Sequence, residues 1–104
     1  MTPQSLNVIG STQLEVFRVT VDEMAQAMTV DPGIFWANAI QRDGPIEVWE
    51  INGERFLFNG NHRYHAAMSI GADIPTEAVV VVDKTGSVIP TFRFNQMVWI
   101  PGRK

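Results

Sequence analysis

The stretch Phe56-Leu57-Phe58-Asn59-Gly60-Asn61-His62-Arg63-Tyr64-His65-Ala66-Ala67 constrains this chain more than any other. An apolar run that passes through glycine into a helical pattern ending at Gly71 reads as strand, turn and helix. Such a turn leaves the first N–H groups of the helix without partners and sets His62 and Arg63 beside them. Glycine lets a phosphate approach the backbone, the helix dipole favours negative charge, and a guanidinium donates two parallel bonds. Asn59, Gly60, Asn61, His62 and Arg63 therefore form a candidate binding site for a nucleotide phosphate. Asn or Gly before a helix is also an ordinary cap, and the pattern by itself leaves both readings open.

The rest of the sequence bounds this reading. A chain of 104 residues with 45% hydrophobic content makes one domain with one core, over residues 1–104. Residues 1–12 and 101–104 read as loose ends. There is no cysteine, so disulfides and thiolate metal sites are excluded. No apolar run reaches membrane-spanning length, and the first seven residues lack the features of a signal peptide, so the expected setting is a bacterial cytosol. The net charge of −3 argues against a protein that coats DNA, because neutralising phosphates requires a basic surface. A local basic patch of Arg55, Arg63, Arg93, Arg103 and Lys104 is the remaining route to nucleic acid.

Pattern and punctuation give the elements. Leu14 to Val19 alternates as a strand, and Thr20 to Glu23 reads as a capping box that opens a helix. Asp31-Pro32-Gly33 breaks that helix, and Ile34 to Ile40 forms a second one with Phe35 and Trp36 turned inward. Ile46 to Ile51 and Arg55 to Phe58 make a hairpin about Asn52-Gly53. Ala78 to Val82 reads as a strand buried on both faces, and Ser87 to Thr91, with Pro90, as an edge strand. Phe92 to Ile100 closes the core as a strand or a short helix. The fold class is α/β (α+β): a small mixed sheet flanked by helices.

The phrase from Phe58 to Ala67, followed by Gly71 and Ile74-Pro75, resembles the ParB/sulfiredoxin superfamily. Gly60, His62, Arg63 and Tyr64 are similar to the Gly-Cys-His-Arg-Tyr of sulfiredoxin, and Gly44-Pro45-Ile46 to the Gly-x-x-x-Pro-Ile box of the ParB branch. The likeness spans Leu14 to Val82. It implies a ParB-like, nucleotide-binding domain that takes a nucleoside triphosphate, ATP or CTP, with Mg²⁺ at the turn. It also implies a choice among NTPase, nuclease-type hydrolase, phosphotransferase and partition switch. Compact copies resemble C-terminal effector domains of secreted bacterial toxins, whose partner is an immunity protein and whose destination is a target cell; a homodimer is a further expectation. Asn61 stands where sulfiredoxin has its catalytic cysteine and where CTP-hydrolysing relatives have a glutamate, so neither chemistry is carried over. The non-enzymatic alternative is a nucleotide-sensing or DNA-associated regulatory module.

A catalytic reading puts His62 in the role of proton carrier and Arg63 in that of charge stabiliser. His65, three residues on, reads as part of a solvated face, Tyr64 and Met68 read as core, and Arg63 has Glu50 or Glu54 as a rival structural partner. The acids available upstream are Glu15, Asp22, Glu23, Glu47, Glu50 and Glu54, with Glu23 engaged in the capping box, and alternation along the strand does not choose between them. Gly60→Val is expected to abolish ligand binding while the fold survives; circular dichroism and thermal unfolding of the variant separate that outcome from a structural role for the glycine.

Overall fold

The computed structural model describes residues 1–104. In chain order it contains β1 (Val8–Ser11), β2 (Glu15–Phe17), α1 (Arg18–Val30), α2 (Pro32–Asp43), β3 (Ile46–Ile51), β4 (Glu54–Asn59), α3 (Asn61–Ile70), β5 (Val79–Asp83), β6 (Phe92–Arg93) and β7 (Val98–Ile100). Short 3₁₀ turns at Pro3–Leu6, Thr76–Ala78 and Phe94–Gln96 complete it.

The hairpin forms where its turn chemistry demands. Asn52 and Gly53 both have positive φ, 52° and 83°, the combination whose twist matches that of paired strands. It joins β3 to β4 in antiparallel register, Val48 opposite Leu57 and Trp49 opposite Phe56. On either side the sheet becomes parallel, with β5 beside β3 and β1 beside β4, and β6 lies antiparallel against β1. The order is thus β5-β3-β4-β1-β6, a mixed sheet, while β2 and β7 form a separate parallel pair. With α3 against β3, α1 packed across α3 and α2 against α1, the class is α+β. Ile46, Val48 and Leu57 are fully buried, and Val16, Val21, Met28, Trp36, Tyr64, Ala66 and Ala67 join the core from the helices and β2. Apolar burial of this kind contributes about 25 cal/mol per Å² removed from water.

Punctuation held at the helix breaks. Asp31 caps α2 by accepting from the Ile34 N–H at 3.0 Å, with Pro32 at the first helical position, and Gly71 ends α3 in the left-handed region at φ 64°. Trp36 is buried and Phe35 packs against the core, as their spacing predicts. The predicted strand from Leu14 is only Glu15–Phe17, because α1 already starts at Arg18. No capping box forms at Thr20 and Glu23, since both lie within the helix. They hold the chain's end instead: Thr20 Oγ1 accepts from the Lys104 N–H at 3.1 Å, and Glu23 pairs with Arg103 at 2.6 Å.

Both ends are therefore fixed rather than loose. Pro3, Leu6 and Val8 enter the core and β1 is an interior strand of the sheet, which alternation alone hides because the strand is short and contains Gly10. The Val19 N–H donates to the Gly102 carbonyl at 2.9 Å. The valine run proves to be β5 at the sheet edge, with Val80 and Val81 exposed, so its hydrophobicity does not mean burial on both faces. Residues Ser87 to Thr91 form no strand; the second edge is β6, and Phe92 to Ile100 divides into strand, 3₁₀ turn and strand. No helix is long and apolar enough to cross a membrane.

Gly10 shows how closely β6 is laid down. A Cβ there would lie 2.0 Å from the Phe92 carbonyl oxygen and 2.8 Å from its carbon, both backbone atoms. Gly10→Ala is expected to lower stability by about 1–3 kcal/mol through forced separation of β1 and β6, read as a lower urea midpoint.

Candidate functional site

Strand β4 passes into α3 through Gly60, whose φ of 88° lies in the region that favours glycine. A Cβ on Gly60 would sit 2.7 Å from Ile46 Cγ1, 3.2 Å from Ile46 Cα and 3.1 Å from Arg63 Nη2. The absent side chain makes room for the core strand and the arginine, so the turn is not the open surface that the sequence implies. Gly60→Val is accordingly a folding lesion, and the expectation that such a variant keeps its fold is corrected.

The three residues that follow are polar and yet buried: Asn61 is 2% exposed, His62 7% and Arg63 2%. Tyr64 donates the first intrahelical bond, to the Gly60 carbonyl at 2.9 Å, so the N–H groups of Asn61, His62 and Arg63 have no acceptor within the helix. Arg63 Nη1 donates to the Gly44 carbonyl at 2.8 Å, whereas its Nη2 is buried without a partner. Burial holds the guanidinium below its ordinary pKa, offset in part by the charge of Asp43 and reinforced by that of Arg42. It pairs with neither Glu50 nor Glu54; these bind Arg55 and Arg93. Both amide atoms of Asn61, Nδ2 and Oδ1, are likewise buried and unpaired.

His62 takes a different part from the one its sequence position offers. Its Nε2 accepts the Phe17 N–H at 3.1 Å, and its ring stacks on Phe17 with centroids 5.9 Å apart. An acceptor nitrogen is unprotonated, so the neutral ring carries its hydrogen on Nδ1 and offers a donor rather than a base. Burial lowers its pKa first, and the positive charge of Lys104 lowers it further. Asn59 is spent structurally through Nδ2, which donates to the carbonyls of Asp43 at 3.0 Å and Pro45 at 3.2 Å and so fixes the turn between α2 and β3 beside the site.

These side chains line a cavity of about 220 Å³ formed by Asn59, Gly60, Asn61, His62 and Arg63 together with Gln13, Met24, Asp43 and Lys104. All five sequence candidates are thus brought together. A second cavity of about 280 Å³ adjoins it, sharing Gln13, His62 and Lys104 and adding Leu14, Glu15 and Phe17. Gln13 and Asp43 escaped sequence reasoning, and Lys104 figures in it only as part of a basic patch and a loose end. A signal for Asp43 existed, since it precedes the Gly44-Pro45-Ile46 turn, while Lys104 arrives only because the chain's end lies along α1.

The donor set suits an anion better than a cation. Asp43 is the one carboxylate lining the first cavity, and it is bonded to Arg42 at 3.0 Å. No three His, Cys, Asp or Glu side chains cluster anywhere to hold a metal. Asp43 is thus the one lining residue that offers a carboxylate to Mg²⁺, an ion normally held by one or two carboxylates together with substrate phosphates. Of the basic patch expected from the sequence, Arg55, Arg93 and Arg103 each meet a carboxylate and Arg63 is buried, while Lys104 lines the cavity. His65 is not solvated either. It lies among Tyr64, Phe94 and Trp99, with ring centroids 5.2–5.5 Å away, while Met68 is 38% exposed rather than core.

Comparison with protein-family models and with curated proteins gives no match. The geometry of the site therefore carries the functional argument.

Two outcomes follow from this geometry. Gly60→Ala, strained by its φ and by contact with Ile46, is expected to cost about 1–3 kcal/mol in urea unfolding. Burial, with the charges of His62 and Arg18, pushes His65 down to about 4 from 6.5. The unfolded chain then takes up this proton first, so stability is full above pH 6.5 and falls as the pH drops from there toward 4. The loss is up to about 3 kcal/mol for this group. His65→Phe is expected to flatten the profile measured by urea unfolding across pH 4–7.

Proposed function

We propose that the chain is a phosphate-binding module of ParB/sulfiredoxin-like architecture that takes the phosphates of a nucleoside triphosphate, ATP or CTP, at the start of α3. The observation that carries this reading is Arg63, which lines the cavity, is 2% exposed, forms no ion pair and has its Nη2 buried without a partner. A buried charge without a counterion is costly, and an incoming phosphate removes that cost. Its oxygens would meet Arg63 Nη2, the Asn61 amide, the free N–H groups of the first helical turn and, from the rim, Lys104. The adjoining cavity, with Leu14 and Phe17 on its wall, has the character to receive a nucleoside.

Binding rather than turnover is the reading these residues favour. His62 offers a donor where an attacking water would need a base, and Asp43 is engaged with Arg42. Any Mg²⁺ would be brought in on the triphosphate, where it serves to neutralise phosphate charge.

Isothermal titration with ATP, CTP, GTP, UTP and pyrophosphate, with and without Mg²⁺, tests the proposal; absence of heat with all of them at millimolar ligand overturns it. Arg63→Ala is expected to weaken binding by about 1.5–3 kcal/mol, the value of a charged hydrogen bond. Arg63→Met loses the bond to the Gly44 carbonyl but also removes an uncompensated buried charge, so its unliganded stability is expected to fall by no more than about 3 kcal/mol while the ligand-induced rise in Tm is lost. Phosphate release that disappears in Asp43→Asn would move the assignment to an enzyme.

A further inference from the structure

The edge formed by β5 combines features that sheets ordinarily avoid. It pairs with β3 alone, in unbroken parallel register from Ile46 opposite Val79 to Glu50 opposite Asp83, so one side of the strand has no neighbour. Val80 and Val81 are 39% and 43% exposed. Native edges are blunted by lysine, proline, bulges or covering loops, and Val79-Val80-Val81-Val82-Asp83 has neither lysine, proline nor bulge.

Which backbone groups are free follows from the ladder. The Lys84 N–H donates to the Glu50 carbonyl at 2.8 Å, and alternate residues of a parallel strand face the same neighbour. Val80, Val82 and Lys84 therefore bond toward β3, and Val79, Val81 and Asp83 point outward. The Val79 N–H is already taken by the Thr76 carbonyl. The free outward groups are thus the Val79 carbonyl, both groups of Val81, and both groups of Asp83.

This set is complementary to itself. We propose that β5 pairs antiparallel with β5 of a second copy of the chain, about a two-fold axis at Val81, to give a continuous ten-stranded sheet. In that register Val81 exchanges two bonds with its own copy, and each Asp83 N–H donates to the opposite Val79 carbonyl, four bonds drawn only from free groups. Shifting the axis to Val80 sets Val79 opposite Val81, wastes the occupied Val79 N–H, and brings Glu77 against Asp83 with like charge. The Val81 register instead faces Asp83 with Val79 and Lys84 with Ala78. A five-residue strand pair buries less than a standard interface, so the dimer is weak, at roughly micromolar dissociation or above.

Sedimentation velocity of the full chain from micromolar to about 1 mM is expected to show concentration-dependent dimerisation. Val81→Pro removes only an outward N–H, which an edge strand tolerates, and is expected to raise the dissociation constant roughly tenfold or more with the circular dichroism spectrum unchanged. Should that variant fail to fold, Val81→Cys still decides. Directly paired residues of this type have Cα atoms about 5.5 Å apart, within disulfide reach, and the chain has no other thiol. Rapid oxidative cross-linking of Val81→Cys, with none for Val88→Cys on the exposed segment after β5, supports the register. A monomer throughout the range, a dimer that survives Val81→Pro, or equal cross-linking at both positions overturns it. In the first case the edge is left for the strand of a different protein.

Discussion

The close approach of Gly60 to Ile46 is the constraint on which the rest of this molecule depends. Ile46 opens β3 and is fully buried, and the missing Cβ of Gly60 is what lets β4 turn back over it at a φ of 88°. That turn sends α3 across the core, where Tyr64, Ala66 and Ala67 are buried. The same turn fixes the neighbouring one. Asn59 and Arg63, on either side of Gly60, hold the carbonyls of Asp43, Gly44 and Pro45. Two chain reversals distant in sequence are thereby locked to each other, and the cavity lies between them.

That lock is built from charged and polar groups in a place where burial is costly. Arg63 has one guanidinium nitrogen satisfied and one orphaned, and the Asn61 side chain is orphaned entirely. Elsewhere the chain treats its arginines differently: Arg42, Arg55, Arg93 and Arg103 each meet a carboxylate at 2.6–3.0 Å on the surface, where such pairs are worth little. Exposed Arg18 lies over the Trp99 ring at 4.1 Å without a carboxylate, and the buried Arg63 has only the Gly44 carbonyl. Unpaired buried groups also occur at Trp36 Nε1 and His65 Nε2, so what sets the turn apart is that three such atoms, two on Asn61 and one on Arg63, lie in the first turn of one helix beside a cavity.

His62 and His65 illustrate how one helix turn separates two apparently equal residues. Both lie in α3 and both are held neutral by burial. His62 faces the cavity with its Nε2 occupied by the Phe17 N–H, whereas His65 is enclosed by aromatic rings from the C-terminal segment. What separates these two residues, three apart on one helix, is what packs against it, not the helix itself.

The features written locally were legible in the sequence: the Asn52-Gly53 hairpin, the cap at Asp31-Pro32, the stop at Gly71, and the strand-turn-helix with its five candidate residues. Each rests on a backbone preference or a hydrogen bond spanning a few positions, so no distant partner is needed to decide it. What only the tertiary structure decided is everything that depends on contacts between segments far apart in the chain. Short strand β1 became interior because β4 and β6 both needed it, the valine run became an edge because no strand pairs beyond it, and Thr20 and Glu23 gave up a cap to hold the chain's end. Burial of Asn61 and Arg63 was decided in the same way, since polarity predicts solvent and only the packing of α3 against Ile46 and the Gly44 turn overrules it. Sequence thus determined which residues gather at the turn, and the third dimension determined that Asn61, His62 and Arg63 are buried there and that the Asn61 amide and Arg63 Nη2 have no partner.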